Sequence, residues 1–194
     1  MFRKVFLSIL AAVFHGVAYA IYLHQVFGGG SIPNPASWTI WAFLSILNAI
    51  TFWKGSRDGL ATAQFFTGSV ACFVVWVFAL GAGKFAPLDT MAWAVLVLSL
   101  LACAVWYFTR SAIYANLVVG GILLISSVPT IAGVWHNSNV EQSLPWWLWT
   151  TAFVITSVNV YRRTDRTKSR WWFLMVVPIF GIAIHGAVAI GAVR

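Results

Sequence analysis

Two pairs of tryptophans stand three residues apart, Trp38 with Trp41 and Trp146 with Trp149, and Asn48 follows Trp41 by seven residues as Thr156 follows Trp149. On a helix those spacings keep each tryptophan on the same face as its polar partner. An indole stacks on a planar or sugar ring, and an amide or hydroxyl about 10.5 Å further along, at 1.5 Å per residue, fixes that ring's orientation. Tryptophan also collects at membrane interfaces without any ligand, so a belt role competes with a binding role for all four. His15 and His185 change charge near neutral pH and are candidates for a proton-coupled step; the plainer alternative is a neutral histidine bonded to a neighbouring helix. Signatures of catalysis are missing. The sequence has no His-Glu-x-x-His and no carboxylate pair in an apolar run, and His24, His136 and Glu141 lack metal-ligand spacing. Neither an enzyme, a metal nor a cofactor is expected.

These residues sit in a chain of 194, of which 61% is apolar and 8% charged, with a mean hydropathy of +0.86. A soluble domain carries roughly 25% charged residues, so a soluble globule is excluded and the lipid bilayer is the first partner. The net charge of +8 is explained by retention of Lys and Arg on the cytoplasmic side, and nucleic acid is not expected as a partner. Cys72 and Cys103 both lie in apolar runs and define neither a disulfide framework nor a cysteine metal site. The first residues, with Arg3, Lys4 and then Ala18-Tyr19-Ala20, have the outline of a signal peptide. The apolar run continues to Phe27, however, so a retained first span is expected.

Runs of spanning length predict seven transmembrane helices, at about 5–27, 37–53, 60–83, 89–108, 111–135, 146–161 and 171–193. Membrane strands are excluded because the runs are continuously apolar, without alternation at period two. Ten of the twelve Lys and Arg fall at the N-terminus and in the even-numbered turns, and only Lys84 and Arg194 fall on the other side. The N-terminus is therefore expected in the cytoplasm and the C-terminus outside. At mid-depth, polar groups must face the bundle interior, which applies to His15, Asn48, Thr156 and His185. Gln64 and Asn116 lie nearer the cytoplasmic ends, where they line an inner gate or reach interfacial water. Asp89 is expected to cap helix four. Pro129 and Pro178 lie inside helices five and seven and are candidate hinges. Trp93, Trp106, Trp171 and Trp172 are assigned to the belt.

An internal repeat relates the two halves. A shift of 108 residues superposes Trp38 on Trp146, Trp41 on Trp149 and Asn48 on Thr156. A shift of 111 superposes Trp38 on Trp149, Thr39 on Thr150 and Asn48 on Asn159, and then Asn159 replaces Thr156 in the site. Either register predicts an all-α integral membrane fold of two parallel three-helix repeats, 1–83 and 111–194, joined by a linker helix over 84–110.

The proline-marked turn and helix two, "IPNPASWTIWAFLSILNAI" at 32–50, and the corresponding stretch "VPTIAGVWHNSNVEQSLPWWLW" at 128–149, resemble the SWEET and PQ-loop superfamily of small transporters, most closely its bacterial PQ-loop-like members. Neither half contains a literal Pro-Gln pair, and the predicted orientation is similar to that of the nicotinamide riboside uptake branch. The resemblance implies a bacterial inner-membrane carrier that moves a small neutral or ring-bearing metabolite, sugar or nucleoside-like, through a central cavity by alternating access. Trp38, Trp41, Asn48, Trp146, Trp149, Thr156 and Asn159 are then the candidate substrate-binding residues. A non-transporting membrane scaffold or receptor is the alternative, and association into a homo-oligomer is left open.

Overall fold

The computed structural model describes residues 2–109, 112–163 and 171–194, with side chains throughout except at 2–4, 55, 98–99, 102–103, 105–106, 109, 112–116, 171 and 173. Asn116, Trp106, Trp171 and Cys103 thus lie outside the described side chains, as do Arg3, Lys4 and the basic residues at 110 and 166–170. Among the described residues seven long helices form: α1 (Phe2–Gly28), α2 (Pro35–Ser56), α3 (Gly59–Gly81), α4 (Thr90–Thr109), α5 (Ala112–His136), α6 (Ser143–Arg163) and α7 (Trp171–Gly191). A single 3-10 turn, Ser138–Val140, precedes α6, and the described residues contain no strand. Among the described residues five helices are long and apolar enough to cross a membrane, those carrying Val5–Gly28, Pro35–Lys54, Gly59–Gly81, Leu117–His136 and Leu174–Gly191. This is an integral-membrane architecture. α6 is not among the five, because its Thr150, Thr151, Thr156, Ser157 and Asn159 lower its hydropathy.

Helix ends follow local chemistry. Asn34 caps α2, its side-chain oxygen accepting from the amides of Ala36 and Ser37 at 3.0 and 3.2 Å, with Pro35 in the first turn, where its missing N–H costs nothing. α6 starts three residues earlier than the predicted 146 for the same reason, since Pro145 is tolerated inside a first turn. Asp89 accepts from the Ala92 amide at 2.7 Å, the expected cap of α4. Between α2 and α3, Arg57 adopts a left-handed φ of 54°, and Asp58 caps α3 by accepting from the Ala61 amide at 3.1 Å while pairing with Arg163 at the end of α6.

Six helices pack in a closed order: α1 touches α3 and α6, α2 touches α3 and α5, and α7 touches α5 and α6. α4 lies outside this ring against α5 and α2, held by Ile40, Leu44, Val95 and Ile122. One end of the ring, bearing Gly28, Pro35 and Ser143, is filled by Tyr22, Trp38, Trp146 and Trp149 and is termed the tryptophan end. The opposite, arginine end bears Ser56, Gly59 and Arg163 and is filled by Phe52, Phe65, Phe153, Val160, Leu174 and Val177. Large apolar side chains such as Phe6, Val70 and Leu100 point outward, as lipid contact requires. Trp93 and Trp172 are 57% and 45% exposed.

Candidate functional site

The four paired tryptophans converge in the bundle interior. Trp38, Trp146 and Trp149 are fully buried, which removes the belt reading for them. They touch one another across the ring: Trp38 and Trp149 lie 6.4 Å apart between centroids, and Trp41 and Trp146 lie 6.2 Å apart. Tyr22 stacks on Trp38 at 4.6 Å, and Tyr19 meets Trp149 edge-on at 4.8 Å. The result is a packed aromatic layer. Its indole N–H groups are unequally served. Trp41 donates to Ser126 of α5 at 2.9 Å and Trp146 to Glu141 at 3.2 Å, whereas that of Trp149 has no partner among the described residues.

Beneath this layer lies a cavity of about 90 Å³, large enough for several waters or a small solute. His15, Trp41, Asn48, Cys72, Phe153 and His185 are among its walls, and among the described residues no Asp, Glu, Lys or Arg lines it. Cys72 belongs to the aromatic cluster on one side, and Phe65 and Phe153 belong to the apolar cluster on the other. The cavity therefore lies between two packed plugs. Asn48 is buried on its wall with its Oδ1 unpartnered, a cost of about 1–3 kcal/mol in a protein interior.

Hydrogen bonds set the protons on both histidines. Thr156 donates its hydroxyl to Gln64 Oε1, so the Gln64 amide nitrogen faces His15 and donates to its Nδ1 at 2.9 Å. The His15 proton is thereby placed on Nε2, a donor. His185 is the converse: its Nδ1 donates to the Gly181 carbonyl at 2.7 Å, which leaves Nε2 as an acceptor. Two glycines make room. A Cβ at Gly68 would stand 2.6 Å from His15 Nε2, and one at Gly181 would stand 2.5 Å from the Phe153 ring.

Of the residues singled out in the sequence, Trp41, Asn48, His15 and His185 line the cavity, and Trp38, Trp146 and Trp149 form the layer next to it. Thr156 is one step removed, tied to Gln64. Asn159 lies near the arginine end, donating to Ser8 at 2.8 Å and accepting from Arg163 at 3.0 Å. Pro129 and Pro178 are within α5 and α7 as expected, and both are buried. Gln64 does not reach the bundle surface; it is buried on α3 and bridges α1 to α6.

His24 and His136 are exposed, but Glu141 is buried at 3% exposure, with Oε1 accepting from Tyr22 at 2.8 Å and Oε2 accepting from Trp146. Burial pushes its carboxyl up to about 8, against the opposing hydrogen bonds from Tyr22, Trp146 and Ser31. At the arginine end, burial alone would raise Asp58; the Ala61 amide and Arg163 outweigh it and hold Asp58 below the usual aspartate range. Among the described residues no group of side chains is arranged to hold a metal ion. Compared with known families, curated proteins and solved structures, the chain matches none.

Proposed function

We propose that the chain is a carrier of a small neutral or ring-bearing metabolite, sugar or nucleoside-like, working by alternating access through the central cavity, with the three-one-three architecture of SWEET and PQ-loop transporters. The observation that carries this reading is Asn48: a buried, unpartnered amide oxygen on the wall of a cavity between two packed clusters. Leaving an acceptor unsatisfied in a bundle interior is costly, and a solute O–H or N–H would recover that cost. His15 Nε2–H supplies a donor and His185 Nε2 an acceptor on the same walls, while the phenyl and indole faces suit a ring. With no formal charge on the lining, an uncharged solute fits best.

The packing order supports two equivalent halves. Exchanging α1, α2 and α3 with α5, α6 and α7 leaves every neighbour relation of the ring unchanged, with α4 outside as the linker. The tryptophans favour the 108-residue register. Under it the Trp38–Trp149 contact at 6.4 Å maps onto Trp146–Trp41 at 6.2 Å, and Trp38–Trp41 at 5.7 Å maps onto Trp146–Trp149 at 5.0 Å. A cavity between two packed clusters suits a substrate site near the axis relating such halves, and the Lys and Arg distribution favours a cytoplasmic arginine end.

A ligand that binds only the folded state raises the melting temperature by mass action. Screening uncharged sugars, nucleosides and related ring compounds in detergent should yield stabilising ligands whose effect disappears in Asn48→Leu, a variant of similar volume that removes the orphan acceptor. A charged compound as the best binder, or stabilisation unchanged in Asn48→Leu, would sink this reading.

A further inference from the structure

Glu141 is the only glutamate in the chain, and it is buried in the link before α6, at the tryptophan end. Its two oxygens accept from donors on different helices, Tyr22 on α1 and Trp146 on α6. Those donors are themselves the plug: Tyr22 stacks on Trp38 and Trp146 packs on Trp149. The link after α1 closes over the carboxyl, with Gln142 donating its amide to Ser31 Oγ at 3.2 Å and Ile32 donating to the Val140 carbonyl at 2.8 Å. On its other side Glu141 shares an open crevice with His136 at the end of α5 and Asp89 ahead of α4. The groups facing it are therefore Tyr22, Ser31 and Trp146 around the carboxyl and His136 and Asp89 across the crevice. Among the described residues no Lys or Arg lines that crevice to balance a buried negative charge.

We propose that Glu141 is a proton-binding site coupled to the tryptophan end, holding a proton while that end is packed shut and releasing it to the adjacent water when the end opens. The inference rests on the alternating-access reading given above. The step breaks one O–H bond: the neutral carboxyl becomes a carboxylate and the proton leaves to water on the crevice side. Opening hydrates the carboxylate and separates it from its apolar surroundings, which returns it to ordinary carboxylate behaviour. Because the group is raised to about 8 in the closed state, closure is favoured at low pH and is lost as pH rises towards that value. Across that window the closed-to-open ratio falls about tenfold per pH unit. His15 and His185, the candidates named by the sequence, instead have their Nδ1 atoms engaged within the bundle.

Two measurements on the full chain test this. As Glu141 is the sole glutamate, isotopic labelling of the glutamate carboxyl carbon reports on it without any substitution. Its magnetic resonance signal should remain that of a neutral acid at neutral pH and titrate near 8; titration in the ordinary glutamate range would overturn the proposal. Second, Cys72 on the cavity wall is a natural reporter of opening in a Cys103→Ser background, labelled in oriented vesicles by a membrane-impermeant thiol reagent on the crevice side. Dividing the rate by that of Glu141→Gln, which mimics the neutral acid, removes the reagent's own pH dependence. The ratio should rise about tenfold per pH unit towards pH 8. In Tyr22→Phe, which loses a donor to the ionised form in the closed state, the rise should continue to higher pH before it levels off. Identical profiles for the parent and Glu141→Gln would refute the coupling and leave alternating access standing. Absence of labelling at every pH would remove both.

Discussion

Gln64 donates from its amide to His15 Nδ1 at 2.9 Å, joining residues 49 positions apart on α3 and α1. The same amide accepts from Thr156 of α6, so one side chain sets the protonation pattern of a cavity histidine and ties three helices together. Replacing it with Leu leaves an imidazole nitrogen and a hydroxyl buried without partners. Gln64→Leu should lower stability in detergent by about 1–3 kcal/mol, read from denaturant unfolding, because each orphaned group bears its desolvation cost. An unchanged midpoint would mean that Thr156 and His15 find other partners.

Close approach makes two glycines sensitive to a single methyl. Gly68→Ala sets a Cβ 2.6 Å from His15 Nε2, and Gly181→Ala sets one 2.5 Å from the Phe153 ring. Each should destabilise by about 1–3 kcal/mol through overpacking, and Gly68→Ala should also weaken ligand binding by displacing the imidazole. Gly121→Ala, which meets nothing within 4 Å, is the matched control and should be neutral or slightly stabilising.

Burial separates tryptophans of identical chemistry. Trp38→Ala empties the centre of the aromatic layer and should cost about 3–5 kcal/mol, whereas Trp93→Ala at the lipid face should cost far less. Comparable losses in the two variants would contradict the interior position of Trp38.

Stability should fall in acid partly through Asp58. Its depressed titration means that the Arg163 and Ala61 interactions contribute above the usual aspartate range and are lost as pH drops through the lowered value. Asp58→Asn should lower the melting temperature in the neutral region towards its acid value and so flatten the acid limb of the profile. A parallel acid limb in the variant would assign that loss to other groups.

Seven helices, their order and most of their ends were legible in the sequence because each depends on the residues within it: hydropathy over a span, a capping Asn34 or Asp89, a proline where a first turn tolerates it. His15, Asn48 and His185, singled out because a polar group at mid-depth has no stable place except the interior, line the cavity, and so does Trp41, singled out by its spacing. Tertiary structure decided what depends on a distant partner. Tryptophan suits an interface and a core equally, so only packing separated Trp38, Trp146 and Trp149 from Trp93. Gln64 and Glu141 sit near helix ends, where water is the default partner. Thr156 lies 92 residues from Gln64 and Tyr22 lies 119 from Glu141, and it is those pairings that draw both side chains inside. A local pattern carries no record of such contacts, because the free energy of burying a polar group is set by what closes over it.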